Sequence, residues 1–151
     1  FKDCYIDGTT DFIFGPSTAL FENCMIHSKR NSYVTAASTP KEAKYGYIFK
    51  HCKLTAEPGV DKVYLGRPWR PYAYTLFIEC ELGKHIVPAG WHNWGKQSNE
   101  ETARYMEYKN TGEGANVSER VAWSKQLTKK EAEAVTVDAI FGTQSNWNPI
   151  D

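Results

Sequence analysis

Four cysteines, at positions 4, 24, 52 and 80, sit in near-identical surroundings. The chain reads Phe1-Lys2-Asp3-Cys4, Phe21-Glu22-Asn23-Cys24, Phe49-Lys50-His51-Cys52 and Phe77-Ile78-Glu79-Cys80. Two residues after each cysteine stands Ile6, Ile26, Leu54 or Leu82, and a degenerate fifth copy reads Tyr105-Met106-Glu107-Tyr108. The copies start at residues 1, 21, 49, 77 and 105, so the steps are 20, 28, 28 and 28. A period of this size marks a stacked-repeat architecture, in which each unit buries its apolar face only against its neighbours. The units are aromatic and aliphatic and lack a 3.6-residue period, which favours strands over a helical solenoid. Each cysteine and the aliphatic residue two places later share one face of an extended chain. The phenylalanine three places earlier lies on the other face, or just beyond a bend, and the spacing alone leaves both open.

Further short extended segments lie between the copies, at residues 11–14, 33–35, 63–65, 74–77 and 121–123. Turn formers such as Asp7-Gly8, Gly15-Pro16 and Glu57-Pro58-Gly59 separate them. Several strands per repeat describe an all-β fold, a right-handed parallel β-helix with equivalent residues stacked about 4.8 Å apart. The cysteines then form an inward column of free thiols packed as small apolar groups. None has the spacing of a zinc site or a redox motif. Near the end, Thr128-Lys129-Lys130-Glu131 is a capping-box sequence that opens a helix over 129–135. This helix, with a tail carrying Trp147 and Pro149, is expected to cover the last rung, because a solenoid needs its terminal strand edge protected. The expected organisation is one domain, with rungs over 1–125 and the helix and capping tail over 126–151.

Lysines plus arginines number 18, as do aspartates plus glutamates, so the formal net charge is zero. That balance supplies no attraction for nucleic acid or an anionic membrane. No apolar run reaches the length of a membrane span. His27, His51, His85 and His92 have no metal-ligand spacing and read as structural or solvated; no metal or cofactor is expected. Asn116-Val117-Ser118 matches a glycosylation sequon by pattern.

Three stretches carry side chains able to do chemistry. Gly8-Thr9-Thr10-Asp11-Phe12-Ile13-Phe14-Gly15 sets one carboxylate in an otherwise apolar strand. Tyr64-Leu65-Gly66-Arg67-Pro68-Trp69-Arg70 places an arginine and a tryptophan two apart, on one face. Pro88-Ala89-Gly90-Trp91-His92-Asn93-Trp94 is an aromatic cluster on a loop, suited equally to packing and to a groove wall. Taken singly, Asp11 reads as a turn aspartate, Arg67 as a surface ion-pair residue and Trp69 as core. Taken together and in this order, the first stretch resembles the GTVDFIFG motif of the pectin methylesterases and the second resembles their YLGRPW motif. Residues 107–115, Gln126-Leu127-Thr128 and Trp147 resemble the C-terminal signature of the same family. Thr10 departs from the family's valine, a change of similar shape.

The resemblance implies an ester hydrolase that removes the C6 methyl esters of pectin, a methyl-esterified polygalacturonate, and releases methanol. It implies Asp11 as nucleophile, Arg67 as the arginine that orients it and contacts substrate, and Trp69 and Phe14 as aromatics of the sugar cleft. It implies a secreted or periplasmic protein. Strict alternation places Phe14 opposite Asp11, so the chain is expected to bend near Gly15. With Asp11 in the first repeat and Arg67 in the third, about 10 Å separates their rungs, a gap an arginine side chain nearly covers. The family's second aspartate, its general acid and base, and its oxyanion glutamines belong to a motif upstream of the nucleophile. The ten residues before Asp11 lack that motif, and no glutamine precedes Gln97. Thr35-Ala36-Ala37-Ser38 takes no oxyanion role. The chain therefore reads as the C-terminal part of a longer catalytic domain, inactive alone. A calcium-dependent pectate lyase is disfavoured because no acidic cluster lies near Arg67. A non-catalytic carbohydrate-binding β-helix shares the repeat and the aromatics but has no need of an Asp11–Arg67 pair.

Overall fold

A computed structural model describes residues 1–142. Trp147 and Pro149, expected in a capping tail, lie outside the described residues. The strands are short and pair in parallel into three sheets. One sheet holds β1 (Tyr5–Gly8), β4 (Met25–Ser28), β7 (Lys53–Ala56) and β10 (Glu81–Leu82). The second holds β2 (Ile13–Gly15), β5 (Tyr33–Ala37) and β8 (Tyr64–Gly66). The third holds β3 (Ala19–Glu22), β6 (Tyr47–Lys50), β9 (Tyr74–Ile78), β11 (Arg104–Tyr108) and β12 (Lys125–Gln126). From β1 to β10 the chain visits the three sheets in rotation, which makes a three-sided parallel β-helix.

The repeat steps are the sheet register. Ile6 pairs with Ile26, Ile26 with Leu54 and Leu54 with Leu82. Phe21 pairs with Phe49, and Phe49 with Phe77. The residue just before each cysteine adopts a left-handed backbone: Asp3, Asn23, His51 and Glu79 have φ of 56°, 53°, 54° and 49°. This corner turns the chain between phenylalanine and cysteine, so both face inward although they are three apart. The phenylalanine rings, from exposed Phe1 inward to Phe77, stack in one column at centroid spacings of 4.9, 4.5 and 4.5 Å, nearly parallel. Cys24, Cys52 and Cys80 are buried beside them, and all four cysteines are free thiols. The Cys52 and Cys80 thiols point at the carbonyls of Phe21 and Phe49 on the preceding rung, at 3.4 and 3.5 Å.

The fifth copy falls two residues later than the sequence spacing implies. Glu107, not Tyr105, pairs with Phe77. Lys109 supplies the left-handed corner at φ 45°, and Asn110 Oδ1 accepts the Cys80 N–H from 30 residues away. A slip of two leaves the inward face inward, so alternation could not distinguish the registers. Tyr105 faces inward too and stacks on Trp91 at 4.3 Å. Glu107 ends the phenylalanine column with a buried ion pair, its carboxylate 2.9 and 3.1 Å from Arg120 Nε and Nη2. Trp91 Nε1 and Gln126 Nε2 donate to the same carboxylate.

The C-terminal helical segment also differs from expectation. Thr128 and Glu131 form the reciprocal capping box, but α2, preceded by the short α1 (Asn99–Thr102), covers only Lys129–Glu133. Thr136 then caps a separate α3 (Val137–Phe141). Ala132 and Val135 pack on Leu20, Ile48, Leu76 and Ile78, the outward face of the third sheet. That face is apolar on successive rungs, so it needs a lateral cover, and Lys50 Nζ donates to the Val135 carbonyl to fasten it. Residues 121–123 form a turn rather than a strand, with Ser124 N–H donating to the Val121 carbonyl.

Candidate active site

The cleft forms along the second sheet. Asp11 precedes β2 with φ 49°, and its N–H donates to the Tyr33 carbonyl on the next rung at 2.9 Å. The backbone turns left-handed at Asp11 as well as at Gly15, φ 119°, and the strand starts at Ile13, not at Asp11 as the sequence pattern suggests. Turning at Asp11 brings its carboxylate and the Phe14 ring to the same cleft. Phe14 is 62% exposed. Across β5 its register partner is Ala36, whose small side chain leaves the middle of the cleft open.

Arg67 leaves β8 one rung further on, where its N–H donates to the Thr35 carbonyl. Its side chain reaches back across the Ala36 rung and grips Asp11 with two hydrogen bonds. Nε donates to Oδ1 at 3.1 Å and Nη2 to Oδ2 at 2.6 Å. Residues 56 apart in sequence thus meet in a planar fork-to-fork pair, both partners about one-fifth exposed. Tyr33 and Trp94 sandwich the guanidinium, each ring centroid 3.9 Å from its central carbon. Burial works against the Arg67 charge, but the hydrogen bonds and charge of Asp11 hold its pKa above the ordinary value.

Trp69 follows, its N–H bonded to the Ala37 carbonyl, and meets Phe14 edge-on at 6.0 Å. Thr10, Asp11, Phe14, Ala36, Trp69 and Trp94 enclose an open cleft of about 350 Å³. The 88–94 loop divides between two duties. Trp91 is fully buried in the core, while Trp94 is 38% exposed and walls the cleft. Tyr33 and Trp94 are the cleft residues that sequence reasoning missed as site members. Tyr33 carried no signal beyond strand propensity, and Trp94 was legible only as one of an undivided aromatic cluster. The remaining histidines lie elsewhere: His51 bridges Glu22 and Glu79, His27 contacts Thr55 and Glu57, and His85 is buried.

Chemically, the pair is an oriented carboxylate. A cation that holds both oxygens fixes the plane of the carboxylate beside the cleft. Exposed aromatic faces beside it suit sugar rings. The cleft lining contains no second carboxylate and no side-chain amide among the described residues.

A family model, Pectinesterase, matches residues 1–144. Pectinesterase 31 of Arabidopsis thaliana is 44% identical over 132 residues, 87% of this chain and 42% of that protein. Among solved structures, the pectin methylesterase from carrot superposes with a TM-score of 0.88 at 34% identity, covering 95% of this chain and 50% of that one. A pectin methylesterase in complex with a hexasaccharide superposes with a TM-score of 0.81 at 31% identity, covering 100% of this chain and 52% of that one. The chain spans about half the length of these solved relatives and less than half of the curated one. The repeat, the cleft geometry and the family match agree: the chain belongs to the pectinesterase family.

Proposed function

We propose that this chain carries the nucleophile half of an active site that hydrolyses the C6 methyl esters of homogalacturonan. The observation that carries the reading is the bidentate Arg67–Asp11 pair inside an aromatic cleft. An Asp11 oxygen attacks the ester carbonyl carbon, the bond to methoxy breaks, and methanol leaves with a proton from a general acid. Water then cleaves the resulting acyl–aspartate anhydride, which restores Asp11 and frees the galacturonate carboxylate. Arg67 holds the nucleophile fixed, while Trp69 and Phe14 form the platform for the sugar chain. The solved relative that holds a hexasaccharide supports an oligosaccharide in this groove.

On this reading, protonating methanol and stabilising the oxyanion fall to groups other than the cleft residues described. A polymeric cell-wall substrate places the protein in a secreted or periplasmic setting. Among the described residues no helix is long and apolar enough to cross a membrane. The test is Asp11→Asn in the complete enzyme, which keeps the shape and removes the nucleophilic charge. Methanol release from methyl-esterified pectin is expected to fall by roughly a thousandfold or more, with pectin binding retained. Turnover within tenfold of wild type overturns the assignment. Wild-type protein that binds pectin and releases no methanol favours the non-catalytic carbohydrate-binding alternative.

A further inference from the structure

The Asp11–Arg67 pair is only as well placed as the rings that clamp it, and one of those rings stands on an unusual support. Trp94 has a left-handed backbone, φ 64°, which a bulky residue adopts only when its surroundings impose it. The peptide plane leading into Trp94 is held by His92, whose Nδ1 accepts the Trp94 backbone N–H at 3.0 Å. His92 is itself fixed. Its N–H donates to the Gly66 carbonyl at 3.1 Å, just before Arg67. Its ring sits edge-on to Tyr33 and Tyr64 at 5.5 and 5.3 Å, and those two rings stack on each other at 5.2 Å. The chain of contacts is therefore continuous: His92 to Trp94, Trp94 to Arg67, Arg67 to Asp11.

We propose that His92 is a positioning residue for the reaction, its neutral imidazole pinning Trp94 so that Trp94 and Tyr33 hold the Arg67 fork on Asp11. This rests on the reading of Asp11 as nucleophile. The pin works only while Nδ1 is unprotonated, because an imidazolium has no acceptor to offer. The groups facing the ring are Tyr33 from β5, Tyr64 and the Arg67 guanidinium from the β8 rung, and the Trp94 N–H from its own loop. Asp11 lies beyond Arg67, and Glu100 is engaged by Asn93 Nδ2 at 2.9 Å. Burial, then the Arg67 charge, lowers the His92 pKa below its ordinary value, so the accepting form prevails at neutral pH. Protonation sets in only below the usual imidazole value of about 6.5. Over that acid range the pin is lost, the clamp on Arg67 loosens, and kcat falls, while Phe14 and Trp69 keep their places and KM changes little.

Two variants separate positioning from packing. His92→Phe keeps the ring and removes the acceptor. His92→Asn places an oxygen where Nδ1 stood, in the short-range geometry by which Asn93 Oδ1 already accepts the Gly95 N–H at 2.8 Å, and it does not titrate. In the complete enzyme at neutral pH, His92→Phe is expected to lower kcat about three- to tenfold with KM within twofold, the worth of one positioning hydrogen bond. His92→Asn is expected to restore kcat and to keep it at acid pH, where wild type loses it. In parallel, the backbone amide resonance of Trp94 is followed by NMR against pH. It is expected to move with the His92 titration in wild type and to stay still in His92→Asn. A neutral-pH kcat of His92→Phe equal to wild type overturns the proposal, as does an equal acid limb in wild type and His92→Asn, or a Trp94 amide that ignores the His92 titration. If wild type released no methanol, the nucleophile reading would fail while the amide titration still decided whether His92 holds Trp94.

Discussion

Arg67→Lys preserves the charge beside Asp11 and removes the geometry. In the wild type two donors meet two carboxylate oxygens, and the guanidinium plane lies between Tyr33 and Trp94. A lysine ammonium is a point charge on a flexible stem, able to satisfy one oxygen and unable to stack as a plane. The loss is then one charge-assisted hydrogen bond, about 1.5–3 kcal/mol, and part of the cation–π contact, about 0.5–1 kcal/mol. If these act through the placement of the attacking oxygen, the barrier rises by about 2–4 kcal/mol, or about thirtyfold to a thousandfold in kcat. The assay is methanol release from methyl-esterified pectin by the complete enzyme over a range of substrate concentrations. KM is expected to stay within about threefold, because the aromatic platform is intact. A kcat within threefold of wild type would show that charge alone suffices and refute the orienting role of the fork.

Other outcomes concern stability. Phe49→Leu removes two ring stacks at the centre of the core column and is expected to cost about 2–3 kcal/mol in denaturant unfolding, from lost stacking and a small cavity. Arg120→Met strands the buried Glu107 carboxylate and is expected to cost about 3–5 kcal/mol, much of it recovered when Glu107→Leu is added. His85 is held down to about 4, by burial first and the His27 charge second. Its folded pKa lies below the unfolded value of about 6.5, so the unfolded chain binds the extra proton between those limits. Its contribution is complete above pH 6.5 and lost as pH falls toward 4, on the order of 3 kcal/mol in all. Thermal melts of wild type and His85→Leu are expected to diverge in pH slope over that interval.

The fold was legible because its register is written into the chain: the steps between Phe21, Phe49 and Phe77 are the pairing partners themselves. The inward direction of those phenylalanines was not legible. It depends on a left-handed corner occupied by Asp, Asn, His, Glu and Lys in turn, residue types with no common signature. The fifth rung was misplaced for a related reason, since Glu107 in an aromatic column makes sense only with Arg120, 13 residues further on. At the site, Asp11, Phe14, Arg67 and Trp69 were named from motifs, and the structure brings all four together at one cleft. The Tyr33–Trp94 clamp was invisible because it is a stacking relation between rungs, which sequence spacing does not encode. The lateral position of α2 and α3 needed the outward apolar stripe of Leu20, Ile48 and Leu76, recognisable only once the inward face was known.

The rungs tolerate unequal loops without losing alignment. Along the first sheet neighbouring partners are 20, 28 and 28 residues apart, as Ile6, Ile26, Leu54 and Leu82 show. Along the second, Ile13, Thr35 and Gly66 are 22 and 31 apart. Extra residues accumulate in the turns, while the strand columns stay in step. Insertions at a corner can therefore reshape the rim of the cleft without moving Asp11 relative to Arg67. Conversely, the two side chains can meet only when the intervening rung is seated between them. The Asp11–Arg67 contact is accordingly a report on stacking: a chain with one rung out of step could keep most of its sheet and thiol column, yet lose that pair.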